Sequence, residues 1–166
     1  ALALLDKGIT LCDSHQSDSS VAAMTVTAYT YKASYLNYIG KHEEALEWFE
    51  KTLDYCLLHN DIINAIGVCR NIITISILNS TQETGSMLLY KLLPHLSTME
   101  DESLKHTDFA LIAAFLLSYD KNMTKSGRQD IEERMKRIYG ESWASQATMQ
   151  LQQIKTPKQP NIDEFS

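Results

Sequence analysis

The sequence predicts an all-α chain of paired antiparallel helices, and three observations carry that prediction. Apolar residues recur at spacings of three and four along nearly the whole chain, the period of a helix with one buried face. Residues 1–156 contain one proline, Pro94, so little interrupts long helices. The chain also repeats itself, which points to stacked copies of one helical unit.

Eight helical segments follow in order. Residues 1–15 place Leu2, Leu5, Ile9 and Cys12 on one stripe, and the polar run from Ser14 to Ser20 then supplies helix-capping side chains. A second segment, 19–39, carries Val21, Ala28 and Tyr35 at helical spacing. Gly40, able to adopt a left-handed conformation, ends it. The third, 42–59, buries Ala45, Leu46, Phe49, Leu53 and Cys56, and Asn60-Asp61 forms the next turn. The fourth, 62–78, is apolar nearly all round. Its isoleucines would suit a strand, but the segment is too long for one and does not alternate, so it reads as a helix covered on several sides. The fifth runs from 82 to 96 and is curtailed near Leu93 by Pro94. The sixth, 102–119, turns Phe109, Ile112, Ala113, Leu116 and Leu117 inward, with Asp101 as cap. The seventh, 125–139, ends at Gly140, and the eighth runs from 141 to 154. Together these make one domain over 1–154 and a flexible tail over 155–166, where prolines replace the core-forming pattern.

The repeat is the strongest signal. Residues 1–12, ALALLDKGITLC, align without a gap on residues 45–56, ALEWFEKTLDYC. Ala, Leu, Lys and Cys recur, Asp6 faces Glu50, and apolar residues face apolar ones at the remaining core positions. A weaker echo lies 40 residues further on. It maps Ala45, Phe49 and Leu53 to Gly85, Leu89 and Leu93, and Tyr29, Ala33 and Leu36 to Cys69, Ile73 and Ser76. A third places Gly127, Ile131 and Met135 in the same roles. Small residues at Ala45, Gly85 and Gly127 would let two helix axes approach closely.

Over residues 29–53 the chain resembles the tetratricopeptide repeat. Tyr29, Ala33, Leu36, Gly40, Ala45, Phe49 and Leu53 fall at its aromatic, small, large, turn, small, aromatic and closing positions. Lys32, Thr52 and Leu57 depart from its usual Leu, Ala and Pro, and the period of about 40 is longer than the family's usual unit. The resemblance implies a right-handed superhelical stack of about eight helices, an α-solenoid, with a period like that of extended repeats in bacterial regulators. It also makes residues 1–12 the second helix of a hairpin, so that the chain starts mid-repeat, as a fragment would, and leaves an apolar N-terminal face needing cover.

The same resemblance implies a function. The first helix of each hairpin lines an inner groove that takes a peptide or protein segment, which places Thr30, Ser34, Asn37 and Tyr38 in one repeat. Arg70, Asn71, Thr74 and Ile77 follow in the next, and Ala110 and Ala114 in the third. Arg70 is the sole charge on its helix and could pair with a peptide carboxylate or with an acid of a neighbouring helix. Peptide-sensing regulators of Gram-positive bacteria look similar, which makes the chain the ligand-binding part of a larger protein with a DNA-binding segment upstream. A self-associating assembly module is the alternative.

Composition limits other readings. A formal charge of −6, with basic residues diluted by acids, offers no stripe for nucleic acid. No apolar run reaches the roughly 20 residues of a membrane span. Three cysteines, an odd number set within helices, suggest a reducing, cytoplasmic setting. Catalysis has little support: nucleophile elbows and phosphate loops are missing, and Glu43, Glu44, Glu47 and Glu50 read as a solvated helix face. The expectation is a non-enzymatic protein without a cofactor. One metal reading stays open, in which Cys12 and His15 with Cys56 and His59 form two Cys-x-x-His pairs at equivalent repeat positions.

Overall fold

The computed structural model describes residues 1–16 and 20–155. The proposed start of the second helix at Ser19 and all but the first residue of the proposed tail lie outside them. Among the described residues the chain is all-α, with ten helices: α1 (Leu2–Ser14), α2 (Val21–Tyr38), α3 (His42–Leu58), α4 (Ile62–Leu78), α5 (Gln82–Leu89), α6 (Leu93–Leu96), α7 (Asp101–Lys105), α8 (Phe109–Tyr119), α9 (Lys125–Tyr139) and α10 (Trp143–Lys155).

From α1 to α5 each helix packs against the next. Turns of a few residues force successive helices to run antiparallel. The turns after α2, α3 and α4 share one backbone design. The chain takes positive φ at Gly40, Asn60 and Ser80, at +84°, +55° and +57°. One residue later, the amides of Lys41, Asp61 and Thr81 donate to the carbonyls of Leu36, Cys56 and Ser76, at 2.8, 2.8 and 2.9 Å. This closes the helix C-terminus by satisfying carbonyls that have no partner within the helix. Asp61 then caps α4 by accepting from the amide of Asn64. The 40-residue period of the sequence is thus two such turns.

From α5 onward the eight-segment reading needs three corrections. The fifth segment is not one helix to Leu93: α5 stops at Leu89 and the chain restarts helix at Leu93. Pro94 has no N–H to bond the Tyr90 carbonyl, and its ring would collide with that carbonyl in a continuous helix. The sixth segment splits around Thr107, whose hydroxyl donates to the Leu104 carbonyl and accepts from the Phe109 amide, replacing backbone bonds. Asp101 is not a cap but the first residue of α7, held by Arg134 and Arg137 of α9.

The core forms around α4 and α8. Nine residues of α4 are buried, from Ala65 to Ile77, because α3, α5, α8 and α10 all contact it. Helix α8 is buried without a break from Phe109 to Leu116. It packs on α4, α5 and α10, so the C-terminal part folds back over α4.

Of the three small residues expected at helix contacts, two serve that purpose. Ala45 is fully buried. A Cβ on Gly85 would stand 2.8 Å from the Ser76 Cβ and 3.2 Å from the Phe115 ring, where α5 meets α4 and α8. Gly127 does not act this way. Its nearest neighbours, Thr124 and Met123, belong to its own helix start, and its amide donates to the Thr124 hydroxyl that caps α9.

Three outcomes follow. Gly85→Ala loses about 1–3 kcal/mol in urea unfolding, because the Ser76 Cβ belongs to a packed helix and cannot rotate aside. Ser80→Gly gains about 1 kcal/mol in the same assay by removing the left-handed cost of a residue with a Cβ. Asn60→Gly gains less, since Asn tolerates that conformation better.

Candidate functional site

An apolar cleft of about 470 Å³ lies at the N-terminal end, between α1 and α2. Leu4, Leu5, Gly8, Leu11 and Cys12 of α1 line one wall, and Ala23, Met24, Thr27, Ala28 and Tyr31 of α2 the other. The lining contains no charged side chain. Leu4 is 77% exposed, Leu11 63%, Met24 61% and Tyr31 63%, although each is a large apolar or aromatic residue. Scattered exposed leucines are ordinary, but a contiguous apolar surface is the usual mark of an interaction site.

Below the cleft, α1, α2 and α3 are locked together around Tyr29. Its ring is 3% exposed and meets the edges of Trp48 and Tyr55 at centroid distances of 5.5 and 5.9 Å. Its hydroxyl donates to Asp13 of α1. Burial, and then the acceptor carboxylate of Asp13, push the Tyr29 phenol well above its usual range. Lys32, the departure from the repeat pattern, is accommodated here. Its stem is largely buried, its ammonium pairs with Asp6 of α1, and it lies 4.2 Å from the Trp48 ring centre. Lys51 approaches the same ring from 4.6 Å.

The groove residues expected from the repeat resemblance are placed differently from one another. Tyr38 is exposed at the end of α2, Ser34 is exposed, and Thr30 is half-buried. Asn37 is engaged by His42, with 2.7 Å between the amide oxygen and Nδ1. Arg70 donates to Asp108 at 2.7 Å, so its partner is an acid at the start of α8. Thr74 donates to the Arg70 carbonyl within α4, and Asn71 is half-buried. Ile77, Ala110 and Ala114 are buried in the core. None of these positions borders the α1–α2 cleft.

The two Cys-x-x-His pairs do not converge. Among the described residues no group of three or more His, Cys, Asp or Glu side chains is placed to hold a metal ion. The His59 ring lies against Tyr55, and the His15 ring bonds Ser14 and the Leu11 carbonyl. Cys56 and Cys69 are fully buried, and that burial pushes their thiols up to about 12 from the usual 9.0. A thiol held protonated is a poor nucleophile and a poor ligand.

Two further cavities lie in the C-terminal part. One of about 240 Å³ is bordered by Phe109, Ile131 and Arg134. The Arg134 guanidinium there donates to Asp101 and to the carbonyls of Leu96 and Met99, which ties the chain between α6 and α7 to α9. The other, about 510 Å³ and polar, lies between the α4–α5 turn and the end of α8, where Tyr90 donates to the buried Asp120.

Comparison with protein-family models, with curated proteins and with solved structures returns no match to this chain.

The repeat alignment signalled an apolar face at the N-terminal end, but none of the residues that line the α1–α2 cleft was among the groove candidates. Leu4 and Leu11 align with Trp48, which is half-buried, and Tyr55, which is buried.

The buried thiols set an alkaline limit on stability. The native state keeps its protons on Cys56 and Cys69 after the unfolded chain has released them. Their contribution is therefore intact below about pH 9 and declines toward pH 12, by up to about 1.4 kcal/mol per pH unit for each thiol. Urea unfolding measured over that range shows the decline, and Cys69→Ala reduces its slope.

Proposed function

We propose that this chain is a non-enzymatic scaffold that binds a peptide or protein segment, and that the α1–α2 cleft is where the segment docks. The observation that carries this reading is the contiguous apolar lining of the cleft, whose largest members are mostly exposed. Covering such a surface with a partner's apolar side chains releases water at roughly 25 cal/mol per Å² of area buried. A small-molecule site would add convergent polar groups to fix orientation, and this lining supplies only the Thr27 and Tyr31 hydroxyls and the Cys12 thiol.

The wider architecture supports the same reading. The 40-residue period, the residues quoted above at tetratricopeptide positions, and the repeated turns at Gly40, Asn60 and Ser80 fit helical hairpins stacked as a solenoid. Scaffolds of that kind commonly serve as the partner-binding parts of larger regulatory proteins. Thr30, Ser34, Tyr38 and Thr74 remain candidates for a second contact surface along α2 and α4.

A second copy of the chain is the competing occupant, since exposed apolar surface also suits self-association. A mass by light scattering that stays monomeric across concentrations removes it.

Panning a displayed library of random peptides against the protein tests the site. Selected peptides bind the wild type and lose at least tenfold affinity for the Leu4→Glu/Leu11→Glu variant, whose changed residues are exposed and leave the core intact. Selection that ignores this variant removes the cleft from the function.

A further inference from the structure

We propose that the polar cavity between the α4–α5 turn and the end of α8 binds a small organic cation, an aliphatic amine whose ammonium group pairs with Asp120. This cavity shares no residue with the α1–α2 cleft, so amine binding does not depend on a polypeptide docking there.

Asp120 is a buried carboxylate with no counter-charge. It is 8% exposed, Tyr90 donates to one of its oxygens, and the Asn122 amide donates to the other at 2.9 Å. Among the described residues no lysine, arginine or histidine pairs with it. Lys121, next in the chain, is exposed and forms no ion pair. Asp101, by contrast, is held by two arginines. Two hydrogen bonds restore only part of the hydration that an ionised carboxylate loses on burial, and each oxygen keeps room for another donor. The position of Asp120 adds to the cost. It is the C-cap residue of α8, where the helix dipole is negative and favours a cation.

The rest of the lining suits an amine on a short carbon stem. The cavity holds about 510 Å³, within the range of small-molecule sites. Glu83, in the first turn of α5, adds a second carboxylate to the wall, exposed and without an ion-pair partner among the described residues. The side chains of Ser80, Gln82, Thr84 and Ser118 border the same space and make no hydrogen bond among the described residues. An ammonium group carries three donors and no acceptor, so it can bond a carboxylate oxygen and a hydroxyl together. Met87 and the Tyr90 and Tyr119 rings supply apolar surface for the stem. The Lys155 ammonium already lies 5.6 Å from the Tyr119 ring centre, which leaves Tyr90 as the ring for a cation–π contact with the ligand.

Other ligand classes fit less well. An anion would meet the carboxylates of Asp120 and Glu83. A bare metal ion would need more ligating groups, and among the described residues no three His, Cys, Asp or Glu side chains come together to hold one. A neutral polyol would bond the hydroxyls and leave Asp120 without a counter-charge.

Isothermal titration of the full chain with butylamine, putrescine and spermidine tests the site. At least one of these amines binds saturably, one molecule per chain, and 1,4-butanediol, the uncharged counterpart of putrescine, does not. Asp120→Asn weakens binding at least about tenfold, because it removes the charge that the ammonium meets. Glu47→Gln removes the same charge from an exposed position outside the cavity and leaves binding unchanged. Thr84→Trp fills the cavity from an exposed wall position and also loses at least about tenfold while keeping the melting temperature, which decides the matter should Asp120→Asn fail to fold. Absence of saturable binding by all the amines, equal binding of the diol, or binding indifferent to Thr84→Trp or to a folded Asp120→Asn overturns the amine site. Leu4→Glu/Leu11→Glu leaves the amine titration as it is, so a failure of peptide docking and a failure of amine binding are told apart.

Discussion

The structure depends on the covering of α4. A helix with isoleucine, valine and cysteine on most of its circumference is stable in water only when neighbours remove it from solvent on several sides. Helix α3 covers one side, α5 and α8 others, and α10 returns from the far end of the chain to contact it as well. The N-terminal hairpins and the C-terminal helices therefore share one hydrophobic core, which runs from Ala33 to Leu151. Losing close contact at Gly85, where α5 fits between Ser76 and Phe115, would loosen both halves of that arrangement.

Away from this core, the N-terminal end is held by polar and aromatic links between helices. Tyr29 joins α2 to α1 through Asp13 and to α3 through two rings, and Lys32 joins the same helices through Asp6 and Trp48. Lys91 extends the pattern by pairing with Glu50 and Asp54 of α3 from the turn after α5. These links fix the angle of α1 without covering its outer leucines. An apolar cleft then remains on a firm base, a useful condition for docking because little ordering is needed when a partner arrives.

Much of the helical plan was legible because helix formation and burial leave periodic marks. Segments α2 to α4 and α9 matched their apolar spacing to within a residue or two, and Gly40 and Gly140 marked two helix ends through the positive φ that glycine permits. The breaks at Tyr90 and Thr107 were harder to read. One depends on a proline acting on a carbonyl four residues before it, the other on a threonine side chain that competes for backbone bonds. Arg70 shows the same boundary for function. Its isolation on an apolar helix singled it out, but its partner Asp108 lies 38 residues away, and no local pattern connects them.

The sequence by itself determined the all-α class, the 40-residue period and the equivalence of α1 with α3, because these follow from spacing along one chain. Tertiary structure decided which apolar stripes are covered. Leu4 and Leu11 carry the same periodic signal as Trp48 and Tyr55, yet the first pair faces solvent and the second packs around Tyr29. Periodicity states that a face can be buried. Whether it is buried depends on a second helix being within reach, and that is a property of the assembled fold.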